Sequence, residues 1–147
     1  MPQDAITLLD EDHQRVELLF NEYQSSIAER SRKNDVAQII CMELTVHAQL
    51  EEELFYPAFA KATGAQAVVQ DAVAEHQQAK DLIARIQRTP DPDALMLELQ
   101  RAVQLHVAEE RARIFPRARS VGMDLVALGE QLEARKAQLV AALTQTA

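Results

Sequence analysis

Two short stretches of this 147-residue chain could do chemistry, and they are versions of one another. His47-Ala-Gln-Leu-Glu51 sets a carboxylate four residues after an imidazole, and His106-Val-Ala-Glu-Glu110 does the same. Residues four apart on an α-helix project from one face about one turn from each other, so each stretch offers a nitrogen and an oxygen donor side by side. That is a metal-ligand pair. Each copy continues to an aromatic residue (Tyr56, Phe115) and then a proline (Pro57, Pro116) at matching offsets. The other two histidines, His13 and His76, each follow directly on an acid, Asp12 and Glu75. A single His/Glu pair also occurs on solvated helix faces; the matching contexts of two copies carry the metal reading.

The elements that must position these residues are helical nearly throughout. The chain is rich in Ala, Leu, Gln and Glu and holds only three Gly, a composition that favours helix. A first helix is expected over about 4–31, capped by Asp4, with the seam Ile6, Leu9, His13, Val16, Phe20, Tyr23 and Ile27 in steps of three and four. The charged run Glu29 to Asn34 reads as a solvated connection, with Asn34 or Asp35 capping the next helix. Helix two, about 35–62, has the seam Val36, Ile40, Leu44, His47, Glu51, Leu54 and Ala58, and Pro57 should kink it. A third helix over about 65–88 carries His76 between Val69, Ala72, Ala79, Ile83 and Ile86. Thr89-Pro90-Asp91-Pro92 marks a boundary, with Asp91 as cap and Pro92 at the first helical position. Helix four, to about 119, turns Leu95, Leu99, Val103, His106, Glu110 and Ile114 inward. A segment over about 124–145, with Leu125, Leu128, Leu132, Leu139 and Leu143 at helical spacing, reads as a helix packed on the bundle or as a dimer contact.

The sequence is therefore a tandem helical hairpin, each copy giving a lone His and then a His/Glu pair. Packed antiparallel, the copies form an all-α, up-and-down four-helix bundle with an additional C-terminal helix. His13, His47, Glu51, His76, His106 and Glu110 then face one point in its core. Seam positions are about two in seven of a helix, so four of four histidines landing there by accident has a chance of roughly one in a hundred. Buried glutamates without seam Lys or Arg partners are costlier still, and cations relieve both problems. Four imidazoles and two carboxylates are too many for one tetrahedral Zn. Two cations fit, each with mixed nitrogen and oxygen ligands, bridged by Glu51, Glu110 and an oxo or hydroxo group. Iron suits that shell; manganese or zinc would also fit sterically.

Length places the chain as one domain over residues 1–147. The net charge of -8 argues against nucleic-acid and anionic-membrane partners, which reward basic patches. Cys41 can form no internal disulfide, and no signal core or membrane-length apolar run is present, so the expected location is cytoplasmic, as a monomer or homodimer. Glu52, Glu53 and Glu109 neighbour the ligands but point around the helix, towards solvated or supporting roles. Tyr23, Tyr56 and Cys41 read as packing residues.

Over residues 6 to about 118 the pattern His13, His47-x-x-x-Glu51, His76, His106-x-x-x-Glu110 resembles the hemerythrin-like (HHE cation-binding) family, in its four-His, two-Glu branch. The resemblance implies a four-helix bundle holding a non-haem di-iron centre. It also implies two departures from the oxygen-carrying members: Lys80 stands where those have a fifth His, and Glu110 follows its His by four residues rather than an Asp by five. With two imidazoles on each iron both metals stay open, which favours reaction with oxygen or peroxide over reversible carriage. The expected function is a di-iron protein binding or reacting with oxygen, peroxide or nitric oxide. If it is an enzyme, it is a peroxide-consuming, catalase-like oxidoreductase with no catalytic residues beyond the metal centre; the alternative is an oxygen or iron sensor or storage protein without turnover.

Overall fold

The computed structural model of this protein describes residues 3–25 and 29–145. Four helical rods run up and down to form a bundle, and a fifth helix lies along its flank. The first rod is α1 (Ala5–Tyr23). The second joins α2 (Arg30–Leu50) through a π-turn at Glu51–Phe55 to α3 (Tyr56–Thr63). The third is α4 (Gln66–Gln87). The fourth joins α5 (Asp93–Glu109) through a second π-turn at Glu110–Ile114 to α6 (Phe115–Ser120). The last helix is α7 (Leu125–Gln145).

Helix boundaries depart from the sequence reading in three places, each for a local reason. Asp4 caps α1 as expected, its side chain accepting from the Thr7 N–H at 2.8 Å. The helix nevertheless stops at Tyr23 rather than near residue 31; Ile27 of the expected seam lies outside the described residues. The charged run is not a connection but the first turns of α2, so Asn34 and Asp35 lie inside a helix whose N-cap is Glu29. Arg and Lys are good helix formers, and ion pairs from Arg32 to Glu22 and from Arg30 to Asp93 hold this end against its neighbours. At the α4/α5 boundary the cap is Pro92, not Asp91, and Asp93 opens α5. Asp93 is recruited by the buried Tyr23 hydroxyl, which donates to it at 2.6 Å.

Pro57, expected to kink the second helix, is preceded by a change of pitch. Proline cannot donate to the carbonyl four residues back, and its ring crowds that carbonyl. Here the turn before it widens, and the Tyr56 N–H reaches five residues back to the Glu51 carbonyl. Pro116 follows the same pattern: the Phe115 N–H bonds the Glu110 carbonyl. Each π-turn thus begins at a predicted ligand.

Two apolar cores fill the bundle, one on either side of its histidines. One holds Leu9, Leu50, Phe55, Phe59, Phe115 and Leu132; the other holds Phe20, Tyr23, Ile40, Ile86, Met96 and Leu99. Cys41 is buried in the second, where burial pushes its thiol up to about 11. Helix α7 packs on α1 and α2 through Leu128 and Leu132, while Leu143 of the expected seam is exposed. Its approach is close: a Cβ on Gly129 would run into the Gln3 carbonyl oxygen.

Candidate metal centre

Between the two cores the rods bring all six predicted residues together. His13, His47, His76, Glu51 and Glu110 are buried, and His106 nearly so. On one side His13 and His47 approach with their Nε2 atoms 3.2 Å apart; on the other, His76 and His106 do so at 3.1 Å. Glu51 Oε1 lies 3.2 Å from His47 Nε2 and 3.1 Å from His76 Nε2, so it reaches both sides. Glu110 Oε1 lies 3.1 Å from His13 Nε2 and 3.3 Å from His106 Nε2.

The outward nitrogen of every imidazole meets a carboxylate. His13 Nδ1 stands 3.1 Å from Asp10, His47 Nδ1 3.1 Å from Asp12, His76 Nδ1 2.9 Å from Glu52, and His106 Nδ1 2.7 Å from Glu75. An ionised carboxylate only accepts, so Nδ1 carries the hydrogen and, in the neutral ring, the Nε2 lone pair points inward. That is the tautomer and orientation a cation requires. Two carboxylate oxygens, Glu51 Oε2 and Glu110 Oε1, are buried without a hydrogen-bond partner, a costly state for such atoms. The donor set and the orphaned oxygens both fit bound cations, in two groups that share a residue: His13, His47, Glu51 and Glu110; and Glu51, His76 and His106.

Sequence reasoning placed the acids of the repeat but not their partners. Asp12 and Glu75 do not serve the histidines that follow them; each crosses to the His of the next helix, because side chains adjacent in sequence leave a helix in different directions. Burial opposes the charge of Asp12, yet the contacts with His47 and with Lys136 of α7 hold its carboxyl well below the usual range. Lys136 Nζ donates to Asp12 at 2.7 Å and Arg15 Nη1 at 2.9 Å. Glu52 holds His76, Glu53 pairs with Arg135 of α7 at 2.9 Å, and Glu109 faces Arg113 at 3.8 Å. Asp10, which holds His13, was missed; its signal was only its position three residues before a seam His.

Tyr56 is the larger correction. Expected in plain packing, its hydroxyl lies inside the cluster, 3.0 Å from Glu110 Oε2, 3.2 Å from Glu51 Oε1 and 3.3 Å from both His76 and His106 Nε2. In a regular helix the fifth residue after Glu51 points away from it, but the π-turn's five-residue closure turns Tyr56 back over Glu51. Phe115 takes the matching place after Glu110 and stacks on the His13 ring at 5.8 Å. Burial, then Glu51 and Glu110, push the Tyr56 phenol far above its ordinary value, so it keeps its proton. Lys80 sits outside the cluster, where it pairs with Glu52 at 3.0 Å.

Above the imidazoles lies a cavity of about 50 Å³, lined by all four histidines and by apolar side chains such as Leu44, Ala79 and Ile83. Residues 4–120 match the hemerythrin HHE cation binding domain. The chain belongs to that family. The hemerythrin HHE cation binding domain-containing protein of Mycobacterium kansasii has a similar crystal structure, with a TM-score of 0.79 and 25% identity over 95% of this chain and 89% of that one. No curated protein matches the chain. The HHE match ends before α7, yet α7 reaches the centre through Lys136 and Asp12. No described helix is long and apolar enough to cross a membrane.

Proposed function

We propose that this HHE protein is a non-haem di-iron protein that binds or reacts with oxygen-derived small molecules: oxygen, peroxide or nitric oxide. One observation carries the reading, namely two ligand groups that share Glu51 and open on a small apolar cavity. Mixed imidazole and carboxylate ligands suit iron, which when bound supplies redox change and open positions for such molecules. The chain's own residues do the rest. Asp10, Asp12, Glu52 and Glu75 orient the imidazoles and fix the tautomer that turns each Nε2 inward. The Tyr56 hydroxyl keeps its proton 3.0 Å from Glu110 and 3.2 Å from Glu51, where its O–H can donate a hydrogen bond to a bound oxygen atom. The cavity admits a diatomic molecule or a peroxide and is too small for larger metabolites. Turnover, where it occurs, is peroxide-consuming and catalase-like. The acidic net charge and lone buried Cys41 support a cytoplasmic setting without nucleic-acid partners.

Elemental analysis with an ultraviolet-visible spectrum tests the reading. Protein from iron-supplemented cells should carry about two irons per chain, and its diferrous form should oxidise in air and consume added hydrogen peroxide. One metal or only zinc would remove the di-iron reading. An oxygenated band that disappears under argon, with no peroxide consumed, would make the protein a carrier.

A further inference from the structure

The four carboxylates that hold the imidazoles from outside are not themselves held alike. Asp10 is fixed by Arg111 of the second π-turn at 2.8 Å, and Glu52 by Lys80 of α4 at 3.0 Å. On Asp12 two cations meet one oxygen: Lys136 Nζ of α7 donates to Oδ1 at 2.7 Å and Arg15 Nη1 at 2.9 Å, which leaves Oδ2 for His47 Nδ1 at 3.1 Å. Glu75, the counterpart of Asp12 in the sequence repeat, reaches His106 and meets no cation among the described residues. Burial follows the same division, with the Asp12 side chain 7% exposed and that of Glu75 29%. Arg15 lies three residues along the same helix as Asp12, is nearly half exposed and is shared with Glu43 at 3.2 Å, so its hold is slight. Among the described residues, Lys136 is the only cation that ties Asp12 to another element.

We propose that Lys136 is a positioning residue of the metal centre: by clamping one oxygen of Asp12 it holds the other on His47, and so makes His13, His47, Glu51 and Glu110 the tighter of the two cation sites. A carboxylate free to turn about its side-chain bonds leaves an imidazole several orientations, whereas one anchored by a short charge-assisted bond leaves it one. The ring is then ordered on folding rather than on binding, which raises affinity by preorganisation. Arg111 anchors Asp10 on the same side, and this group brings four ligand residues where the other brings three. Across the centre the unanchored Glu75 leaves His106 freer, so the site of His76 and His106 fills second. The HHE match ends at residue 120, and the order of loading is therefore a property that α7 adds to the domain. The proposal rests on the reading of the centre as a two-cation site.

Cobalt titration of the whole chain stripped of metal, followed by the visible ligand-field bands, tests this. The parent should take up two cobalt ions in steps of different affinity; His47→Ala should remove the tighter step and His106→Ala the weaker. Lys136→Met keeps the stem and removes the ammonium, and should weaken the tighter step about tenfold while leaving the weaker one as it was; Lys136→Arg should restore it. Arg135→Met is the control, because it cuts the 2.9 Å tie of α7 to Glu53 and does not touch Asp12. Both its steps should match the parent. Unchanged affinity in Lys136→Met, equal weakening in Arg135→Met, or two steps of equal affinity in the parent would each overturn the proposal. Should Lys136→Met not fold, Lys136→Gln carries the same test. A parent that takes up a single cobalt overturns the two-cation reading instead; weakening of that one ion in Lys136→Met then still supports the hold of Lys136 on His47, and no weakening overturns it.

Discussion

Each imidazole of this centre is held from outside by a carboxylate, and that arrangement sets what the site does with protons. Burial alone would strip the proton from His47 and His106, but Glu51 and Asp12 beside the first, and Glu110 and Glu51 beside the second, raise them to about 10 and about 11. Both values lie above the ordinary 6.5. Protonation therefore stabilises the metal-free fold, fully below about pH 6.5, and that stabilisation is lost as pH rises through about 10 and 11. The melting temperature of metal-stripped protein should accordingly fall across that window, as followed by circular dichroism. Loading with a divalent cation near pH 8 should release about two protons per chain, read by calorimetry in buffers of different ionisation enthalpy. Loss of Glu51 should be worse than loss of Glu110, since Glu51 serves both ligand groups. In a cobalt titration Glu51→Ala should take up neither cation tightly, while Glu110→Ala should keep the one held by His76 and His106. Equal retention in the two variants would contradict the shared role of Glu51.

At the scale of elements, the π-turns and α7 do what a plain four-helix bundle would not. Both π-turns start at an inward glutamate and end at a proline-bearing helix, and the wider turn is what brings Tyr56 into the cluster and Phe115 onto His13. Helix α7 is fastened to this arrangement by Lys136 to Asp12, by Arg135 to Glu53 and by the close approach at Gly129. A methyl group at Gly129 would meet backbone atoms of residues 3–5, which cannot swing aside as a side chain can. Gly129→Ala should therefore destabilise the protein by about 1–3 kcal/mol despite its better helix propensity. Urea denaturation checks this, and a neutral or stabilising result would mean that α7 packs more loosely.

For the whole molecule, the centre is a polar layer between two apolar cores, and the cations are expected to join them. A ligand present at a thousand times its dissociation constant adds about 4 kcal/mol of stability per site. Stripping the metal should thus lower the melting temperature by many degrees, with reloading restoring it; equal melting of stripped and loaded protein would count against a core site. The fall should be smaller at pH 6.5 than at pH 9, because the stabilisation of the metal-free fold by protonated His47 and His106 is near its full value at pH 6.5 and declines steadily above it towards about 10 and 11.

The sequence by itself determined the bundle, the tandem repeat and the six residues that converge, because helical periodicity and four-residue spacing are local properties written along one chain. His13 to Glu110 could be named from seam position alone. Tertiary structure decided the rest. That Asp12 holds His47 rather than its neighbour His13, and that Glu52 reaches His76, depends on which helices lie side by side. The place of Tyr56 depends on a turn of different pitch, which a fixed period carried past Glu51 cannot reproduce. The helical start of α2 was hidden because its first turns are solvated and charged, so no apolar seam marked them.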